Sequence, residues 1–322
     1  MMTARNRPFL HLAACAALSL FFAAKAVAAT DVLIMTDREL GEPMARAVAP
    51  LRSATHSVDT GIRAAEAACA PMAGARPRLA LLARVPSQAE VELCAGNARA
   101  DAVAVPIARQ AVALVRPAGT PVVAVNTTEL FRAFTAHDPA PTTGTLLLAP
   151  TGSIAQRMFD GRVMESGCVA GLPAAKLPFD RAERRDFCAK TRADGSVSQR
   201  SGGAADVVAW ARSAKPGALA VVSVAELPTI GDAVAPVALD GVLPLAVDIA
   251  EGRYLASRQV ALLIVLPTDT DKARRDAARK TVFNLLAEAS IGPSGSLEPA
   301  DIVVLSPAER VASRTRALGF FE

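Results

Sequence analysis

Few residues in this chain can do chemistry, and their spacing decides which chemistry is open to them. Beyond residue 28 there are four cysteines, Cys69, Cys94, Cys168 and Cys188, and two histidines, His56 and His137. No cysteines are spaced C-x-x-C and no histidine cluster accompanies them, so neither a structural zinc nor any other metal is expected. An even number of thiols in an oxidising compartment points instead to disulfides. Three pairings are open, and Cys69–Cys94 with Cys168–Cys188 is the one expected. Each closes a loop of about 20–25 residues, worth roughly 3 kcal/mol if unstrained. His137 stands beside Asp138, but neighbours in sequence rarely orient each other's side chains. With no G-x-S-x-G elbow or metal-spaced carboxylates, neither catalysis nor a cofactor is expected. Residues 146–164 offer something different: LLLAP, then Thr151-Gly152-Ser153, then the helical pattern IAQRMFDGRVM. A helix start presents unpaired N–H groups and the positive end of the dipole, and a hydroxyl adds a donor for an anion. The plainer role for Ser153 is to cap that helix.

The first 28 residues read as a secretory signal peptide, which makes the working protein periplasmic. Arg5 and Arg7 precede the apolar stretch Phe9 to Ala24, and Ala26-Val27-Ala28 supplies small residues for cleavage. The apolar part is short for a permanent anchor and ends at Lys25. Leu12-Ala13-Ala14-Cys15 is similar to a lipoprotein cleavage site, but no usable apolar region precedes it. Without Arg5, Arg7 and Lys25 the 35 basic residues fall to 32, against 31 acidic ones. The exported chain is nearly neutral, so it carries no footprint for nucleic acid.

The elements that must position these groups alternate along the chain. DVLIM (31–35) and RLALLA (78–83) read as strands, with helical patterns over 43–52 and 62–70. Ser87 and Glu90 form a capping box for a helix ending near Cys94 and Gly96. Val103–Ile107 and Ala111–Val115 read as two strands joined at Ala108-Arg109-Gln110. Further on, turns at Asp240-Gly241 and Glu251-Gly252 lead into a strand from Tyr254 through Val260–Leu266. An amphipathic helix follows over 271–289. Such alternation argues for a wound α/β architecture, and 322 residues suffice for one large or two smaller domains. One Trp and one Tyr leave few stacking faces for sugars or aromatic ligands, so a small polar or anionic ligand is expected.

The order of these parts resembles the periplasmic solute-binding proteins of the phosphate-transport type. That family has an Asp-Gly-Val-x-Pro turn and a Gly-x-Tyr-x-x-Ser-Arg strand, matched here by Asp240, Gly241, Val242, Pro244, Gly252, Tyr254, Ser257 and Arg258. Cys69, Ala80, Arg84, Glu90, Cys94 and Asn97 fall near a second set of family positions. Pro150, Ser153, Phe159, Met164, Glu165, Gly167 and Cys168 fall on a third, and Pro307, Glu309 and Arg310 on its tail. The resemblance implies an α/β, two-lobe periplasmic-binding-protein-like fold of type II. Each lobe is then a sheet flanked by helices, and two crossover strands join them. Lobe 1 is expected over 29–110 plus 256–322, and lobe 2 over 111–255.

The resemblance also implies a ligand set and partners. In the family, a Gly-Ser-Ser-Thr turn, a Ser-Arg or Ser-Asp pair and a Ser-Gly-Thr turn hold the oxyanion. Here Asp37-Arg38-Glu39-Leu40, Ala83-Arg84 and Ser153-Ile154-Ala155 stand at those places. Gly202 to Asp206 replaces a polar run. The implied ligand-binding residues are Thr151, Gly152, Ser153, Arg84, Arg38 and Asp206. Each has a bland alternative: a helix cap at Ser153, an ion pair at Arg84, a solvated loop at Arg38, an exposed helix start at Asp206. The implied function is a receptor that presents phosphate or a related oxyanion to an ABC permease. Because the anion contacts are thinned out, a non-transporting accessory module with a periplasmic protein partner is the alternative.

Overall fold

The computed structural model describes residues 32–71, 75–122, 124–137, 144–297 and 302–322. The signal peptide expected at 1–28, and Asp138, lie outside the described residues. Among the described residues no helix is long and apolar enough to cross a membrane.

The first half of the fold grows from β1 (Val32–Asp37), which pairs in parallel with β2 (His56–Ile62) and with β3 (Arg78–Leu82). Alternate residues of β1 feed separate cores. Val32 and Ile34 pack with Leu79, Leu262 and Val282, while Leu33 and Met35 pack with Ala80, Leu263 and Val91. Burial on both faces is why these strands read as unbroken apolar runs. The sequence carries no such signal for β2: HSVDTGI is largely polar, only Val58 of it is buried, and it forms because β1 offers a free edge. Helix α1 (Gly41–Val48) covers one face, and α2 (Ala64–Cys69) and α3 (Gln88–Ala98) the other. Arg78, 1 % exposed, donates to the carbonyls of Ala68 (2.5 Å) and Ala70 (2.7 Å) where α2 ends, a cation placed at the negative pole of a helix. Burial lowers the pKa of its guanidinium.

The expected pair of strands over 103–115 is one strand, β4 (Ala100–Pro117), of 18 residues. It runs antiparallel to β9 (Ser257–Pro267) from Ala100 opposite Pro267 to Ala111 opposite Ser257, with one irregularity between Pro106 and Ala108. Proline has no N–H for the ladder, so a bulge there accommodates it. The polar Arg109-Gln110 step is no turn, because its side chains have partners within the fold. Arg109 donates to Ala250 O (3.0 Å), and Gln110 accepts from Arg258.

Past Gln110, β4 changes company. Val112 to Val115 pair with β7 (Leu219–Ser223), which pairs in parallel with β5 (Leu146–Leu148), and β5 pairs in parallel with β6 (Val197–Gln199). The sheet order is β2-β1-β3-β9-β4-β7-β5-β6, with β8 (Val234–Pro236) and β10 (Val303–Val304) also on β4. The second pair of cores surrounds β5 and β7, and includes Phe131, Phe159 and Met164 on one face and Val207 on the other. Helix α4 (Thr127–Phe134) lies close against α6 (Glu165–Gly171). A Cβ on Gly167 would sit 2.2 Å from Thr127 O, so only glycine permits that approach.

Both expected disulfides are present. Cys69–Cys94 ties α2 to α3, and Cys168–Cys188 ties α6 to α7 (Arg181–Cys188). The amphipathic segment expected at 271–289 divides into α11 (Lys272–Leu285), capped by Asp271, and the short α12 (Glu288–Ile291).

Candidate functional site

Four chain segments leave the carboxyl ends of strands and converge on one cavity of about 720 Å³. Clefts at such strand ends are where α/β sheets place ligands. The first segment follows β1. Asp37 accepts from the Glu39 N–H (2.8 Å), folding Arg38–Leu40 into a tight turn before α1 begins at Gly41 with φ +71°. The second follows β5. Ser153 accepts from the Gln156 N–H (3.1 Å) and caps α5 (Ile154–Met158). From there the helix continues through a π-turn, Phe159–Met164, into α6. The third is Arg200–Gly203, ahead of α8 (Ala204–Ser213), and the fourth is Ser223–Glu226 after β7.

Arg38, Gly152 and Ser153 therefore share one cavity wall. The other implied residues do not join them there. Thr151 is exposed and outside the lining. Asp206 accepts from the Gly202 N–H (2.7 Å) and so shapes the 200–203 turn from behind. Arg84 faces a separate cavity of about 210 Å³ beyond the β1–α1 turn, beside Asp37, Glu39 and the Cys69–Cys94 bond. Its guanidinium grips both oxygens of Glu90, and this hydrogen bonding holds the Glu90 carboxyl down at about 2. Partial burial pushes the Asp37 carboxyl up.

Other charged groups around the cleft escaped the sequence reading. Arg157, one turn after Ser153, donates to Gly152 O and to Glu39 O (3.4 Å), which bridges the starts of α5 and α1. Among the described residues neither Arg157 nor Arg38 has a carboxylate within ion-pair distance. Arg200, its side chain 2 % exposed, is held by Glu226 through paired contacts of 2.9 and 2.6 Å and donates to Gly202 O (2.9 Å). Arg258 lies at the start of β9, where the two halves of the sheet meet. It donates to Gln110 Oε1 (3.1 and 2.8 Å) and to Glu39 O (2.6 Å), and its pKa is lowered to about 10 by burial. The i+4 spacing of Arg157 from Ser153 was readable in the sequence. The Arg200–Glu226 and Arg258–Glu39 contacts join segments far apart along the chain and left no such sign.

The two helix starts also touch directly. A Cβ on Gly41 would lie 2.9 Å from Ile154 Cδ1 and Cγ1. Ile154, which stands where the resembling family has glycine, thus packs α5 against the first residue of α1.

The model of a PBP superfamily domain matches residues 39–280, and the chain belongs to that family, one of binding proteins and not of enzymes. Three solved structures share its two-lobe α/β fold. A possible phosphate binding protein from Planctomyces limnophilus aligns with a TM-score of 0.62 at 15 % identity, covering 90 % of this chain and 98 % of that one. PstS from Borrelia burgdorferi aligns at 0.56 and 11 % identity, covering 85 % and 99 %. A phosphate-binding protein from Stenotrophomonas maltophilia aligns at 0.51 and 12 % identity, covering 88 % and 93 %. No curated protein sequence matches the chain.

Proposed function

We propose that this protein is a periplasmic solute-binding receptor that holds an oxyanion, phosphate or a related ion, between two lobes and delivers it to an ABC permease. On this reading residues 1–28 are the export signal, 29–110 plus 256–322 form one lobe and 111–255 the other. The crossovers β4 and β9 are the hinge. One observation carries the proposal: Arg38 and Arg157, neither paired with a carboxylate among the described residues, meet the Ser153-capped helix start on the wall of one cleft. A guanidinium without a counter-ion beside unpaired amide donors suits an anion in a partly dry site. Ser153, Gly152 and Arg38 keep the ligand roles proposed for them, and Arg157 joins them. Arg84, Thr151 and Asp206 act through the surrounding structure.

Titration calorimetry of the exported protein against phosphate, sulfate, phosphonates and short carboxylates tests the proposal. Micromolar or tighter binding of one oxyanion, weakened about tenfold or more by Arg157→Met, is expected. Silence across the whole panel would overturn it. The contact between Gly41 and Ile154 is what favours the second reading, an accessory module that no longer opens and closes. Under that reading small-angle scattering shows one unchanging shape, and a stable protein partner is recovered.

A further inference from the structure

We infer, resting on the oxyanion reading above, that the guest is an organic phosphate or phosphonate with a short hydroxylated aliphatic body, and not the free inorganic ion. The first reason is space. The cleft holds about 720 Å³. Pockets for organic ligands run about 300–1,000 Å³, whereas a five-atom oxyanion displaces only a few waters of roughly 30 Å³ each. Gly41 abuts Ile154, and Arg157 donates across to Glu39 O.

The second reason is how the charge is arranged. Ile154 brings an apolar side chain to the place where the starts of α1 and α5 meet, so amides of both helices cannot ring a bare ion there. The available cations are instead side chains, Arg38 and Arg157, while Arg200 is already committed to Glu226. Two guanidiniums suit a dianionic phosphoryl head, which accepts paired hydrogen bonds from each. A bare ion gripped this way leaves most of the cleft to water, which weakens the grip by raising the local dielectric. A body that displaces that water strengthens it.

The rest of the wall describes the body. Pro43, Pro150 and Ala225 give it apolar contact, and Ser201 and Thr229 give it hydroxyl partners. Glu42 is on the same wall, where it accepts from a hydroxyl or an ammonium and repels a second carboxylate. Among the described residues no aromatic ring lines the cavity, so a nucleobase or sugar ring has no face to stack on there.

Calorimetry of the exported protein with inorganic phosphate, sulfate, glycerol phosphate, aminoethylphosphonate and glycerol decides the matter. An organic phosphate or phosphonate is expected to bind at least about tenfold tighter than inorganic phosphate. Glycerol alone should not bind. Arg157→Met and Arg38→Met, each checked for folding by circular dichroism, should each weaken the organic ligand by about tenfold. Inorganic phosphate binding as tightly or more tightly overturns the inference and leaves the oxyanion reading standing. No binding by any anion overturns both. Organic binding that neither arginine substitution weakens overturns the inference too, because the head group would then sit elsewhere.

Discussion

Among the described helices that start on a serine, α3 and α5 make the instructive pair, because only the start of α5 lacks a glutamate folded back onto it. At α3, Ser87 accepts from the Glu90 N–H, and the Glu90 carboxylate turns back to the Ser87 N–H (2.7 Å) while engaging Arg84. Every charge at that helix end is satisfied within the chain. At α5, Ser153 plays the same capping part, but the third position is Gln156, whose amide turns away to donate to Asp160 (2.7 Å). No carboxylate folds back onto that helix start as Glu90 does at α3, and among the described residues none lies within ion-pair distance of Arg157. A helix start and an arginine are therefore not enough for an anion site. The difference is one residue, glutamate or glutamine, at the position that reaches back.

Several substitutions can break or sharpen this contrast. The largest effect is on the staples that hold the two helix layers, Cys69–Cys94 at α3 and Cys168–Cys188 at α6. Their loops span 25 and 20 residues, and replacing either pair with serine should lower stability by about 3 kcal/mol, measured by urea denaturation. Next, Gln156→Glu would rebuild at α5 the arrangement that closes α3. Anion affinity should fall about tenfold or more with the melting temperature little changed, and unaltered affinity in calorimetry would defeat the contrast. The two caps come third. Ser87→Ala and Ser153→Ala should each cost about 1 kcal/mol, but only Ser153→Ala should also weaken the anion.

The smallest effect concerns the residue that holds Gln156. Burial raises the Asp160 carboxyl from 3.8 to about 7, against the Gln156 hydrogen bond and Arg185. A raised carboxyl favours the protonated form in the folded state. Its contribution is full below pH 3.8 and is lost as pH rises to about 7. Asp160→Asn, neutral throughout, should melt about 2–4 °C above the parent protein at pH 8, for roughly 1 kcal/mol. The two should coincide near pH 3.5. A constant difference across that range would show that burial does not control this carboxyl.

Much of the fold was legible because its signals are local. The capping box at Ser87, the cap at Ser153 and the Asp240-Gly241 turn each take a few neighbouring residues, and each stands as read. β2 was not legible, because a polar segment becomes a strand only when β1 lies beside it. The break expected inside β4 was misread for a related reason. Arg109 and Gln110 look like a turn until Ala250 and Arg258 supply their partners. The candidate site was legible in part. Gly152 and Ser153 follow from the strand-turn-helix pattern, and Arg38 from the family resemblance of the segment that follows β1. Arg84 engages Glu90, six positions on and legible as a cap, and faces a different cavity, a placement that depends on the packing of α3 against β3.

By itself, the sequence determined the alternation of strands and helices, the capped ends and the even set of cysteines. Each depends on backbone preferences and apolar periodicity that act over one or two turns of chain. Tertiary structure decided which arginines keep a charge to offer. Arg200 meets Glu226 and Arg258 meets Glu39 only through folding, whereas Arg38 and Arg157 come to one cleft with no carboxylate within ion-pair distance among the described residues. Coulombic pairing and desolvation depend on distance through space, and that distance is set only when the sheet has closed.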